Sequence, residues 1–377
     1  MSSRRRSVGY GFRRIRPLAI IGAISLALAS TALLSGFQAE PADWLSDSSS
    51  PTVSERVTPE FVGIRTFSPP RKITVVPNIA FAPGITEPDG TPLALDVCLP
   101  PGTDGVQNTP GTDGVHDTDN DAALPALRPA VVSIHGGSWS RGDKANSDWR
   151  QVCVWLASEG FVAVSVNYRL APADPFPAAI DDVSRAVSWL REPANAERFN
   201  IDPERIGAFG GSAGGNLAAL LGARGTGSLT EGSRVAAVVV LSAPLDLRES
   251  VIAAGETQAM LPETGSPFAQ TPGVTPAGDL RRITLRYLGC QTLGDCPAAA
   301  EASAPGALDS SDPPFFIANS RAEFTPLVQA QLVSAALRRE GVAHEFVEVP
   351  GALHSIGILD ADVRMRVAAF LHDTLGD

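Results

Sequence analysis

Ile206-Gly207-Ala208-Phe209-Gly210-Gly211-Ser212-Ala213-Gly214 passes from a short apolar run, through a glycine-rich turn, into residues 214–223, which have helical spacing. The apolar run reads as a strand ending where the helix begins. Small residues on both sides of Ser212 permit a turn so tight that a larger side chain would meet neighbouring backbone. Such a turn lifts a serine hydroxyl above the edge of a sheet. It also sets the N-terminus of the following helix close to any negative charge that develops there. Glycine loops are common, so the GxSxG pattern alone is weak. The strand before it and the helix after it make it specific, and Ser212 is the candidate nucleophile.

A second glycine loop lies upstream. His135-Gly136-Gly137-Ser138-Trp139 directly follows Ala130 to Ile134, a run apolar except for Ser133, as in a strand covered on both faces. Adjacent glycines let backbone approach a ligand closely. The N–H groups of Gly136 and Gly137, with that of Ala213, are candidate donors to an oxyanion. His135 reads as structural, and Trp139 as a wall of the acyl or alcohol pocket. A serine nucleophile needs a base, and the chain has five histidines. His116 lies in an acidic stretch, His344 begins a strand, and His372 ends the last helix. His354 sits in a loop between the last strand and the last helix, where an α/β sheet keeps its site. Glu323, in the loop after the strand Phe315 to Ala318, is the candidate acid. The order Ser212, Glu323, His354 matches a serine–acid–histidine chain order. Asp246 and Asp312 are its rivals.

Further out, strands and helices alternate from Pro129 to the C-terminus. Strands are expected at Phe161 to Val166, Val235 to Leu241 and Glu345 to Val349. Helices are expected over 146–158, around Ile180, Val183, Val187 and Leu190, and over 325–340 and 361–373. This rhythm predicts an α/β fold with a mainly parallel central sheet flanked by helices. Two early strands, Ile73 to Val76 and Leu93 to Leu99, flank a turn at Asp89-Gly90. The organisation expected is an export signal or membrane anchor over 1–36, a flexible linker over 37–70, and one catalytic domain over 71–377. Residues 101–127 interrupt that domain as a disordered loop containing a short duplication, Pro101 to Val106 and Pro110 to Val115. Residues 247–311 break the rhythm at greater length, with a helical patch near 278–288, and read as an inserted cap or lid.

Composition narrows the function. The chain has 377 residues, of which 44% are hydrophobic and 19% charged, which excludes wholesale disorder. The net charge is −11, and residues 1–36 hold six arginines and no acids, leaving −17 on the remainder. That acidic body excludes a nucleic-acid partner needing a basic footprint. The arginines precede the apolar run Leu18 to Leu34, the pattern of a cleaved signal or a single-pass anchor with the body exported to the cell envelope or beyond. Export agrees with two candidate disulfides, Cys290 with Cys296 and Cys98 with Cys153. No cysteine or histidine spacing forms a metal site. Asp117, Asp119 and Asp121 lack the glycine and glutamate of a calcium loop and read as a solvated acidic loop. Oligomeric state is not legible.

Together, His135 to Trp139, Asn167-Tyr168-Arg169-Leu170-Ala171-Pro172, Phe176-Pro177, Asp202-Pro203, Gly210 to Gly214 and His354 resemble the α/β-hydrolase superfamily. Within it they are most similar to the esterase branch typified by hormone-sensitive lipase and its bacterial carboxylesterase and feruloyl-esterase-like relatives. The resemblance runs from about Ile73 to the C-terminus. It implies ester hydrolysis through an acyl-enzyme with no cofactor, acting on a small-molecule or lipid ester. It also implies scaffold roles for Tyr168, Arg169, Asp181 and Asp182. The acid loop departs from the branch pattern His-Gly-x-x-Asp: Asn319-Ser320 replaces His-Gly, and Glu323 stands where Asp is usual. Two other readings are an amide hydrolase of arylformamidase or peptidase type, and a non-catalytic, membrane-anchored binding protein on a hydrolase scaffold.

Overall fold

The computed structural model describes residues 63–103, 126–259 and 276–376. The export segment, residues 37–62 of the linker, most of the 101–127 insert and the middle of the 247–311 insert lie outside the described residues. Eight strands form one sheet: β1 (Thr74–Ala80), β2 (Ala94–Leu99), β3 (Arg128–Ile134), β4 (Val162–Val166), β5 (Ile201–Gly211), β6 (Ala237–Leu241), β7 (Phe315–Ser320) and β8 (His344–Val349). Their spatial order is β1-β2-β4-β3-β5-β6-β7-β8. β2 pairs antiparallel with both β1 and β4, and every pairing from β4 to β8 is parallel.

The parallel strands are apolar on both sides because both faces are covered. Val132 of β3 and Val240 of β6 face one core. There they meet Val183 and Val187 of α2 (Ala178–Arg191), Leu217 and Leu221 of α4 (Ala213–Arg224), and Val333 and Leu337 of α8 (Val328–Glu340). Val131 and Val239, one residue out of phase, face a second core. It holds Val152 and Trp155 of α1 (Ser147–Ser158) and Val367 and Leu371 of α9 (Ala361–Leu375). Each such aliphatic side chain contributes about 1.5–3 kcal/mol on burial. The alternation along a strand thus serves two helical layers.

Three further helices were not expected or only partly so: α3 (Pro193–Phe199), α5 (Glu249–Ala259) and α7 (Pro297–Glu301). The helical patch of the long insert is α6 (Pro276–Leu288). Arg281 of α6 clamps α5, donating to Glu249 at 2.8 Å and to Glu256 at 2.8 and 2.9 Å. Both cysteine pairs are disulfides. Cys98–Cys153 fastens β2 to α1, and Cys290–Cys296 closes a short loop after α6.

The linker boundary is corrected. Residues 63–70 were assigned to a flexible tether by composition, yet Ile64 in a 3-10 turn is 2% exposed in the second core. Arg65 grips Asp148 with two hydrogen bonds, at 2.8 and 2.7 Å. The polar character of the segment concealed one anchoring isoleucine. Among the described residues, no helix is long and apolar enough to cross a membrane.

Candidate active site

The sheet order brings the loops after β3, β5, β7 and β8 to one edge. The chain leaves β3 towards β4 and leaves the neighbouring β5 towards β6, in opposite directions, which opens a crevice at the carboxyl ends of these two strands. Ser212 stands there between β5 and α4 with φ 56° and ψ −126°. This strained conformation is imposed from both sides. A Cβ on Gly210 would lie 2.1 Å from the Gly214 carbonyl oxygen, and one on Gly214 would lie 2.1 Å from that of Ile134. The Ser212 N–H is fixed by the Leu241 carbonyl at 2.9 Å. Ala213 opens α4, so its N–H is among those a helix leaves without an internal partner.

His354 reaches this serine from the loop after β8. Its Nε2 lies 2.9 Å from Ser212 Oγ, and its Nδ1 hydrogen-bonds Glu323 Oε2. The Glu323 side chain is fully buried, whereas the His354 side chain is 31% exposed. The other Glu323 oxygen accepts from the Ser320 N–H at 2.9 Å, folding the longer acid back onto its own loop. Two bonds tie the acid loop to the histidine loop: Ser320 Oγ donates to the Leu353 carbonyl at 2.6 Å and the Ala322 N–H to that of Gly351 at 3.0 Å. Phe324 sets its edge against the His354 ring, 5.8 Å between centroids. The rival acids are engaged elsewhere. Asp246 is buried and bound by Arg248 and Ser303. Asp312 accepts the Asp309 N–H at 2.7 Å.

The first glycine loop faces the serine across the crevice. A Cβ on Gly136 would lie 3.2 Å from Ser212 Cβ. Gly137 has φ +123°, and its carbonyl accepts the Ser140 and Arg141 N–H groups at 3.1 Å each, closing a tight turn. His135 is buried against Tyr168, the two rings stacked at 4.3 Å. Tyr168 Oη donates to the His135 carbonyl at 2.9 Å. Burial holds the His135 pKa down at about 4, so the ring is neutral and its Nδ1–H can donate to the Gly136 carbonyl at 2.8 Å. The far end of the loop is pinned by buried Lys144, whose Nζ lies 3.0 Å from the Asp96 carboxylate.

Gly136, Gly137, Ser212 and His354 line a common cleft of about 790 Å³. Trp139 does not, which corrects its expected role as a pocket wall. Ser138 and Trp139 both have positive φ (57° and 53°), and this turns the indole back into the core. There it is fully buried and stacks on Tyr287 at 4.2 Å. The aromatic and aliphatic walls are instead Trp149, Ile283, Phe324 and Ile356, with Arg141, Arg282 and Arg286 beside them. Sequence reasoning missed these. Trp149 opens a helix directly after the glycine loop, and that adjacency was the signal available.

A hydroxyl bonded to an imidazole, itself bonded to a buried carboxylate, can be deprotonated as it attacks an electrophile. A family model described as BD-FAE matches residues 120–337, more than half of the chain. Neutral cholesterol ester hydrolase 1 of Rattus norvegicus is 45% identical over 97 residues, covering 26% of this chain and 24% of that protein. Esterase LipQ of Mycobacterium tuberculosis is 29% identical over 265 residues, covering 68% of this chain and 57% of LipQ. The chain therefore spans about a quarter of the first relative and little more than half of the second. Among solved structures, a truncated form of a carbohydrate esterase from gut microbiota has a TM-score of 0.58 at 21% identity, covering 81% of this chain and 97% of that one. That likeness shows the α/β-hydrolase fold.

Proposed function

This chain belongs to the BD-FAE family, and from that membership we propose that it is a serine carboxylic-ester hydrolase acting through an acyl-enzyme on a small or medium ester. The observation that carries the reading is the continuous chain Glu323–His354–Ser212, with the histidine Nε2 2.9 Å from the serine oxygen. Ser212 Oγ attacks the ester carbonyl carbon while His354 Nε2 takes its proton. Glu323 holds the ring in the tautomer with Nδ1 protonated and stabilises the imidazolium that forms. The N–H groups of Gly136, Gly137 and Ala213 receive the oxyanion. Each such donor typically accounts for about 10²–10³ in rate, because it binds the tetrahedral state better than the flat carbonyl. The imidazolium protonates the departing alkoxide. Water, deprotonated by the same nitrogen, then attacks the acyl carbon and restores the Ser212 hydroxyl.

A cleft of about 790 Å³ is within the range of small-molecule sites. Arg282, Ile283 and Arg286 of α6 line it, which supports a capping role for the insert that carries this helix. The working place is outside the cytoplasm, a reading supported by the basic and apolar N-terminal segment and by two disulfides. External protease added to intact cells expressing the full chain tests this: digestion of the body supports export, and full protection refutes it.

Hydrolysis of 4-nitrophenyl esters from acetate to palmitate, by the full chain and by Ser212→Ala, tests the mechanism. The expected result is an optimum at short or medium acyl length and a fall of at least about 10³-fold in the variant. Equal turnover by both would remove Ser212 as nucleophile. Turnover of formyl-amides in preference to esters would favour the amide-hydrolase alternative.

A further inference from the structure

Among the described residues, the cleft rim carries a charge opposite to that of the chain as a whole. Three arginines line the cleft: Arg141 on the turn closed by Gly137, and Arg282 and Arg286 one turn apart on α6. Asp148 is the one acidic side chain lining it among the described residues, and Arg65 already binds both its oxygens. Glu323 is fully buried behind His354 and does not face the cleft. Neither Arg141 nor Arg286 meets a carboxylate among the described residues, in contrast to Arg281, whose guanidinium is taken up by Glu249 and Glu256. Ile283 lies on the same helix between the two cleft arginines, and Phe324 lines the cleft beside His354. Ser212 and the three guanidinium groups therefore share one cavity, with apolar surface among them.

We infer that this cleft selects esters carrying an anionic group, whose charge lies against Arg141 and Arg286 while the apolar part of the substrate rests on Ile283 and Phe324. The physical case is one of contrast. Residues 37–377 carry −17, a field that repels anions in general, so a local positive rim discriminates between anionic and neutral esters at the site itself. Guanidinium forks also fit an oxyanion group with paired hydrogen bonds. This inference deepens the esterase reading and rests on it.

The test uses two matched pairs of esters with the full chain. In one pair the charge is on the acyl part: 4-nitrophenyl hemiglutarate against 4-nitrophenyl hexanoate. In the other it is on the alcohol part: the acetyl ester of 4-hydroxybenzoate against that of 4-hydroxybenzamide. The expected result is a kcat/KM ratio favouring the anionic member of one pair by about tenfold, shrinking in 0.5 M salt as the charges are screened. The double variant Arg141→Gln, Arg286→Gln brings that ratio towards one. Turnover of neutral esters with no anionic preference in either pair, or a preference untouched by the double variant, overturns the inference and leaves the esterase reading standing. Failure to hydrolyse any of the four removes both.

Discussion

The Glu323 carboxylate stands one methylene further from its backbone than that of an aspartate would. The chain accommodates that length by folding the side chain back, so that one oxygen takes the Ser320 N–H and the other the His354 ring. Glu323→Gln keeps the volume and loses the charge that supports the imidazolium. We expect kcat to fall by about 10²–10⁴ with little change in KM, as measured on a short 4-nitrophenyl ester. A loss confined to KM would place Glu323 outside the relay. From sequence, Glu323 was one of three acids after or before a strand. All three fall between Ser212 and His354 in the chain, and Glu323 stood out by its loop directly after the strand Phe315 to Ala318, but only the sheet order, which sets β7 beside β8, brings that loop to His354. Trp139 was misread for a local reason: its direction is set by two consecutive positive φ angles that the Ser138-Trp139 pair does not advertise. His135 was legible as structural. Its depressed pKa adds a pH dependence. The folded ring titrates at about 4 and the unfolded ring at the ordinary 6.5, so between these values the unfolded chain binds the extra proton. Stability therefore falls as pH drops through that window, by about 3 kcal/mol in all. In His135→Phe the slope of unfolding free energy against pH, from denaturant titrations, is expected to flatten between 6.5 and 4. An unchanged slope would mean that this ring is not kept neutral by burial.

At the scale of elements, the two glycine loops work because strands deliver them to one edge and helices carry the chain away. Gly214→Ala drives a methyl group into the Ile134 carbonyl, where α4 presses on the end of β3. Activity and stability are expected to fall together, since the elbow cannot keep both its turn and its contact. The disulfides act on different spans. Cys98 and Cys153 are 55 positions apart and Cys290 and Cys296 are 6 apart. Loop-closure entropy then gives about 4 kcal/mol for the first bridge and about 2 kcal/mol for the second. Denaturant unfolding of Cys98→Ala, Cys153→Ala should show the larger loss, and a larger loss in Cys290→Ala, Cys296→Ala would contradict the entropic account. α2 was legible because Val183, Val187 and Leu190 recur at helical spacing on one covered face, and α4, buried on all sides from Ala213 to Gly222, because it continues the glycine turn. α5 was not. Its Glu249 to Ala259 sequence has its two large aliphatic residues, Val251 and Ile252, side by side and not at helical spacing, and its position is set by the Arg281 clamp from α6, a contact between segments that periodicity does not encode.

For the whole molecule, one sheet with two helical layers brings four loops to a single crevice, and the regular part of this was legible. The runs Ala130 to Ile134 and Val235 to Leu241 are apolar on both faces because each face meets a different core. The irregular part was not. Ile64 binds the entry segment to the second core from within a polar stretch, and the arginines of α6 reach the cleft only through the fold of the long insert. The account stands on Ser212 being activated by His354. Its most direct test is intact-protein mass spectrometry of the full chain after a fluorophosphonate reagent, with peptide mapping of the adduct. One adduct per chain on Ser212, absent in Ser212→Ala and formed about a hundredfold more slowly or less in His354→Ala, is the predicted result. An adduct on another residue, or labelling of His354→Ala at the rate of the unaltered chain, would contradict it.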